Sequence, residues 1–185
     1  MTSEIPFYIS QDRRMWGEPQ SDRYAHVLPV YAEGLWRLAV YVATQPCDGV
    51  ITIGYSVMDM WKDMEQVAQC QGISLPSVHH VVGRDGRDMY LGKFDRAKEA
   101  FDRTGITYTH PVFVEDYAEG ARKIKDLHVL FSGLDMPVCY ALLYASPRAK
   151  KELALHGIDA FRAIEDSNQR LFHLLESRRS SSMLT

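Results

Sequence analysis

The residues best suited to hold a charged ligand lie in a glycine- and arginine-containing turn that starts at position 83. The turn follows a predicted strand and opens a predicted helix. N–H groups at a helix N-terminus lack intrahelical partners and carry partial positive charge, so they attract phosphate and other anions. The side chains of arginine would add charge-assisted hydrogen bonds. The pattern predicts a cofactor-binding turn made of Gly83, Arg84, Gly86 and Arg87 for a phosphate-bearing molecule.

Two aspartates in the same segment support a different interpretation of this turn. Asp85 and Asp88 would repel an anion unless they pair with the arginines. Asp88 is also a good helix N-cap, which by itself accounts for its presence. Both interpretations, an anion site and a plain helix start, remain open from the sequence.

A tyrosine and a histidine form the second group with chemical potential. The segment 106–114 is predicted to be a strand, and alternation along it would place Tyr108 and His110 on one face. Such a pair can act as a general acid and base, so both are catalytic candidates. Buried aromatic residues with hydrogen-bonded tips are the alternative.

The sequence predicts no metal site. His79 and His80 are adjacent on a predicted strand and would face opposite ways. The cysteines Cys47, Cys70 and Cys139 stand far apart without a CxxC pair, which favours unpaired thiols. Cys139 falls in an apolar run and is expected to be buried.

Alternating strand and helix patterns are expected to position these residues. The β-rich segments 38–44 and 50–55 predict a hairpin. The apolar run 137–145 predicts a central strand buried on both faces. The fold class is therefore α/β, a single domain over residues 1–176 with a mixed central sheet, an N-terminal-half hairpin and helices on both faces, followed by a flexible tail at 177–185. Further strands are predicted over 77–82 and 106–114, and helices over 58–71, 88–104, 116–130, 147–156 and 159–176.

Composition narrows the classes of partner. The chain has 185 residues, a net charge of −3 and 46% hydrophobic residues. The acidic balance does not favour nucleic acid as a partner. No apolar stretch reaches the length of a membrane span or resembles a signal peptide, which predicts a cytoplasmic protein without a membrane partner. The oligomeric state is not determined by these features.

The segment 81–106, with its Arg84, Gly86 and Arg87 turn and the Gly105 helix end, resembles the strand–loop–helix of GNAT-type acyltransferases. The preceding LAVYVATQPCDGVITIGY is similar to the paired strands before that loop. The resemblance implies an acyl-CoA cofactor bound by the loop. Asp88 and Tyr90 stand where that family has small residues.

Two other resemblances involve different residues. Ser10, Arg13, Arg14 and Trp16 resemble the early motif of the toxin-activating lysine acyltransferases, a GNAT-like branch, with Arg13 at the place of the catalytic histidine. The strand ITIGYS at 51–56 is similar to that of a small uncharacterised α/β family, whose later Cys-His-Arg motif is replaced here by Ser-Pro-Arg at 146–148.

These features lead to two functional hypotheses of different classes. The first is a GNAT-like acyltransferase, or a degenerate relative, that binds a phosphate-bearing cosubstrate such as acyl-CoA. The second is a non-catalytic interaction or assembly subunit built on an α/β domain, with a small-molecule or protein partner. A Rossmann-type nucleotide-binding domain is a third option, although the sequence has no GxGxxG motif.

Overall fold

The computed structural model describes residues 28–91 and 97–165. Within these two ranges, none of the helices combines the length and the apolar character that crossing a lipid bilayer requires. The polar tail at 177–185 and the early motif around Arg13 lie outside the described residues.

A five-stranded sheet with the order β2-β1-β3-β4-β5 forms the centre of the described part of the chain. Every neighbouring pair of strands is parallel. The α/β class is therefore confirmed. The strands are β1 (Gly49–Ile53), β2 (Val78–Val81), β3 (Pro111–Ala118), β4 (Cys139–Ala145) and β5 (Ala160–Ile164).

Helices cover both faces of this sheet, as the sequence predicted. Two separate groups of buried side chains lie on either side of it, because alternate strand residues point to opposite faces. Helices α1 and α2 pack on one face, and α3, α4, α5 and α6 pack on the other. The helices are α1 (Leu28–Thr44), α2 (Tyr55–Cys70), α3 (Gly83–Tyr90), α4 (Ala97–Arg103), α5 (Arg122–Gly133) and α6 (Pro147–Leu155).

Several elements follow directly from local sequence signals. The apolar residues that recur at helical spacing along α2, from Val57 to Ala68, are buried, in agreement with the helix predicted over 58–71. Gly72 follows that helix with a φ of 66°, a conformation that favours glycine. The hydroxyl of Ser146 accepts a hydrogen bond from the N–H of Ala149 and so caps α6. Strand β4 lies between two others and is buried from Tyr140 to Ala145, which confirms the predicted central strand.

The predicted hairpin does not form, because residues 38–44 belong to α1. Their β-forming residues continue a helical stripe in which Tyr31, Leu35, Leu38 and Val42 are fully buried against the sheet. Pro29 lies in the first turn of this helix, where its missing N–H leaves no hydrogen bond unmade. Burial at helical spacing thus overrides the local strand preference.

Other predicted boundaries also change. The single helix predicted over 88–104 is wrong: α3 starts at Gly83 and ends at Tyr90, with Leu91 at its C-cap, and α4 is a separate helix from Ala97. Phe94 lies outside the described residues. The strand predicted from 106 begins only at Pro111 and continues to Ala118, into the helix predicted from 116. The start of the helix predicted over 159–176 is strand β5 instead. Cys139 is exposed rather than buried, because it begins β4 at the edge of the core.

The order of the strands creates one distinctive place in the sheet. After β1 the chain turns in one direction to form β2, and it then returns across β1 to form β3 on the other side. The helices that follow the adjacent strands β1 and β3, α2 and α5, consequently lie on opposite faces of the sheet. Between two such strands the connections diverge and leave an opening at the carboxyl ends, which is where parallel α/β sheets bind ligands.

Candidate functional site: the switch-point crevice

A cavity of about 700 Å³ lies at the carboxyl ends of β1 and β3, where the strand order reverses. We call it the switch-point crevice. Its walls are the ends of β1, β2 and β3 and the first residues of α2, α3 and α5. This volume falls in the range of pockets that enclose small molecules and cofactors.

The loop after β1 forms one wall with an exposed helix start. Gly54 has a φ of 104° and a ψ of 163°, which only glycine adopts readily. Its N–H donates to the carbonyl of Val81 at 3.0 Å, which fixes the loop against β2. In the described part of the chain no side chain caps α2, and Tyr55 and Ser56 of its first turn line the crevice. The partial positive charge of this helix end is therefore available to a ligand.

Helix α5 begins on the opposite wall with a concentration of positive charge. Its first turn contains no acidic residue, and it carries Arg122 and Lys123. The N-cap position is Ala121, whose side chain cannot accept a hydrogen bond from the helix. The carboxylate of Glu152 accepts a hydrogen bond from the backbone N–H of Ala121 at 2.8 Å, so the helix dipole and the two cations share this helix start with one acidic group.

Lys123 connects the two strands that border the crevice. Its ammonium donates a hydrogen bond to the carbonyl of Ile53, at the end of β1, at 2.8 Å. The same ammonium forms an ion pair with the carboxylate of Glu115 in β3. It also lies 5.8 Å from the ring centroid of Phe113. Lys123 therefore links β1 and β3, the two strands between which the strand order reverses.

Glu115 is a buried carboxyl group on the wall of the crevice, with only 2% of its surface exposed. Burial raises its pKa from an ordinary 4.5 to about 8; Lys123 opposes this effect and Asp116 adds to it. One of its carboxyl oxygens, Oε1, has no hydrogen-bond partner among the described residues. Glu115 can therefore gain or lose a proton near neutral pH, as ligand-binding and catalytic carboxyl groups often do.

The structure brings three of the four predicted cofactor-binding residues to this crevice. Gly83, Gly86 and Arg87 line it, whereas the exposed Arg84 does not. These residues form the first turns of α3 rather than a loop before a helix, and Gly83 has a φ of 69°. Their cofactor-binding role stays a prediction.

Gly86 also has a clear packing function. A Cβ atom at this position would lie 3.1 Å from the carbonyl oxygen of Val81 and 3.2 Å from a methyl carbon of Ile53. Helix α3 therefore approaches the ends of β1 and β2 closely because this residue has no side chain. This contact positions Arg87 at the crevice wall.

The two predicted catalytic residues lie at the opposite edge of the sheet. Tyr108 and His110 precede β3 and so lie near the amino ends of the strands, and their segment is not part of a strand. The Tyr108 hydroxyl is 3.1 Å from the hydroxyl of Ser77, and its ring packs against Gly49. The backbone N–H of His110 donates to the carboxylate of Asp48 at 2.9 Å. Their acid–base role stays a prediction, and it does not involve the crevice.

Sequence reasoning did not identify Glu115 or Lys123. The available signal was the pair of acidic residues that ends the apolar run PVFV. Acidic residues directly after a buried parallel strand lie at the carboxyl edge of a sheet, where ligands bind. The sequence instead predicts a strand that ends at 114 and a helix that starts at 116, which leaves Glu115 in neither element and places Asp116 in the helix.

No protein-family model matches the sequence, and no curated protein matches it. Among solved structures, the chain is similar to the orotate phosphoribosyltransferase from Aeropyrum pernix, with a TM-score of 0.45 and 15% identity over 90% of this chain and 80% of that chain.

The resemblance to GNAT-type acyltransferases is wrong. The paired strands that carried it are a helix and a parallel strand, and the described sheet contains no antiparallel pair. The acyl-CoA cofactor and the acyltransferase activity implied by that resemblance are withdrawn with it.

Proposed function

We propose that this protein binds a phosphate-bearing small molecule in the switch-point crevice. The observation that carries the proposal is that the first turn of α2, which no side chain of the described residues caps, lines the same cavity as Arg87 and Arg122. Uncapped helix starts present N–H donors and positive potential to an anion. A cavity of about 700 Å³ accommodates a molecule larger than phosphate alone, such as a sugar phosphate or a nucleotide.

The side chains of the crevice support an anionic ligand. Arg87 from α3 and Arg122 from α5 line it from two sides, and both are exposed. Neither makes an ion pair with another residue of the described ranges. Their guanidinium groups are therefore available for the paired hydrogen bonds that arginine makes to phosphate. Glu119 also lines the crevice and is exposed, and its negative charge reduces the positive potential of the two arginines.

The position in the fold agrees with the chemistry. In parallel α/β sheets, ligands bind outside the carboxyl ends of the strands at the reversal of strand order. The crevice occupies that position between β1 and β3.

A ligand screen with matched variants tests this proposal. Orthophosphate, pyrophosphate, ribose 5-phosphate, AMP and ATP are added to the protein, and binding is measured by thermal shift and by amide NMR shifts. A ligand that binds the native state raises the melting temperature by mass action. We expect at least one compound to stabilise the protein and to move the amide signals of Tyr55 and Ser56.

Two arginine variants locate the site. A hydrogen bond to a charged group contributes about 1.5–3 kcal/mol, so Arg87→Ala or Arg122→Ala is expected to weaken binding roughly tenfold to a hundredfold. Arg37→Ala is the control, because Arg37 pairs with Glu33 on the exposed side of α1. No response to any compound at millimolar concentration, or equal binding in all three variants, would contradict the proposal.

A further inference from the structure

The ammonium of Lys123 is held by the protein itself at the place where an anion would bind. It donates to the Ile53 carbonyl at 2.8 Å and pairs with Glu115. The Lys123 side chain nevertheless keeps 18% of its surface exposed and lines the crevice. A flexible lysine with this exposure can turn its ammonium towards a ligand by side-chain rotation alone.

Among the described residues, Lys123 is the cation that forms an ion pair with the carboxyl group of Glu115. Glu115 is 2% exposed, and its Oε1 atom has no hydrogen-bond partner in the described ranges. The neighbouring Asp116 on β3 is also buried and acidic. A buried carboxylate without a cation is costly and takes up a proton instead.

The other charged and titratable groups at the crevice come from several elements. Arg87 on α3 and Arg122 on α5 are exposed, as are Glu119 after β3 and Tyr55 on α2. Tyr90 and Tyr117 complete this set of side chains. Of all these groups, Lys123 is the one that forms an ion pair with Glu115.

We propose that an anion bound in the switch-point crevice draws the ammonium of Lys123 away from Glu115, and that Glu115, where it is ionised, takes up a proton from solvent as the anion binds. This inference rests on the proposed function, because it concerns regulation of the same site. Lys123 then acts as a positioning residue that exchanges one carboxylate partner for the ligand. Anion affinity becomes coupled to pH through a group that need not touch the ligand.

The sign and the pH range of the coupling follow from the ionisation of Glu115. The pKa of this group is about 8 in the structure described here. Below that pH Glu115 already holds a proton, so an anion binds without further uptake. Above it, binding must add one proton, and anion affinity falls by up to about tenfold per pH unit. Binding is therefore expected to be independent of this group near pH 6 and to weaken between about pH 8 and about pH 9.

Sulfate is a suitable probe, because it has the shape and charge of a phosphate and does not titrate in this pH range. The pKa of Glu115 is read from its side-chain carboxyl carbon by NMR, in sodium chloride and in sodium sulfate of equal ionic strength. The dissociation constant of sulfate is measured from amide shifts across the same pH range. We expect sulfate to raise the pKa of Glu115 and to bind Glu115→Gln with no dependence on pH above about pH 8.

Lys123→Met separates the exchange of partners from a simple through-space effect of the anion. Methionine has nearly the same length and no charge, so Glu115 in this variant should already hold its proton more tightly, and sulfate should raise its pKa little further. If sulfate raises the pKa of Glu115 equally in Lys123→Met and in the natural chain, the lysine does not exchange partners and the inference is wrong.

The results also distinguish this inference from the proposed function. If sulfate moves the amides of Tyr55 and Ser56 while the pKa of Glu115 stays constant, the anion site stands and the coupling is overturned. If neither sulfate nor any phosphate compound affects the crevice, the proposed function itself is overturned, and the coupling with it.

Discussion

Replacing Glu115 by glutamine should change how the stability of the protein depends on pH. Burial raises the pKa of Glu115 from an ordinary 4.5 to about 8. Between these two values the folded chain keeps the proton of this carboxyl group, and the unfolded chain releases it. The folded state therefore binds more protons, and the free energy of unfolding must fall as the pH rises. The stabilising effect of the buried, protonated group is complete below about pH 4.5 and is lost by about pH 8.

The size of the effect follows from the same two values. One pKa unit corresponds to about 1.4 kcal/mol, so the whole interval from 4.5 to about 8 amounts to at most about 5 kcal/mol. Relaxation of the site and penetration of water will reduce this figure. Glutamine keeps the shape of the side chain but has no proton to lose. The free energy of unfolding of Glu115→Gln should therefore rise relative to the natural chain by several kcal/mol between pH 5 and pH 8.

Urea denaturation at a series of pH values measures this difference directly, since the contributions of all other groups cancel between the two proteins. Glu119→Gln is the matched control, because Glu119 is an exposed carboxyl group in the same crevice. Its curve should run parallel to that of the natural chain. If the Glu115→Gln curve is parallel as well, Glu115 is ionised throughout as a partner of Lys123, and the reasoning on its burial is refuted.

Two further predictions concern the framework around the site. Gly86→Ala should destabilise the protein by about 1–3 kcal/mol in urea denaturation, because the new methyl group meets the Val81 carbonyl and Ile53. Gly133→Ala is the control, because a Cβ atom at this end of α5 would meet no neighbour within 4 Å; this change should leave the free energy of unfolding unaltered or raise it by up to about 1 kcal/mol. If both variants lose a similar amount of stability, the packing argument is contradicted. The amide hydrogens of Tyr140–Leu143 should exchange among the slowest in the protein by NMR, because β4 is buried between two strands; rapid exchange there would show that this part of the sheet opens easily.

Much of the α/β framework could be predicted from local patterns. The stripe of α2, the buried run of β4 and the Ser146-Pro147 start of α6 each carry a signal within a few residues. These signals depend on side-chain periodicity and on capping, which act over one or two helical turns. The parallel arrangement could not be predicted in the same way. Residues 38–44 contain good strand formers, and only their contacts with the sheet show that they belong to a helix.

Only part of the candidate site could be predicted, because local patterns reveal only residues that are close together in the chain. The arginine and glycine turn at 83–87 stood out because its residues are consecutive, and three of its four members reach the crevice. Glu115 and Lys123 are eight positions apart, on a strand and a helix whose boundary was placed wrongly. Their contact, and the hydrogen bond from Lys123 to Ile53, depends on the pairing of β1 with β3.

By itself, the sequence determined the alternation of apolar and polar positions, and with it the α/β class, the buried stripe of α2, the start of α6 and the central strand β4. These properties arise from interactions between near neighbours in the chain. The tertiary structure alone decided that β3 pairs with β1 and that α2 and α5 diverge from that pair to opposite faces. The crevice exists because of this reversal in strand order, and the high pKa of Glu115 exists because packing removes its carboxyl group from water. Both depend on residues far apart in the chain, whose encounter no local pattern specifies.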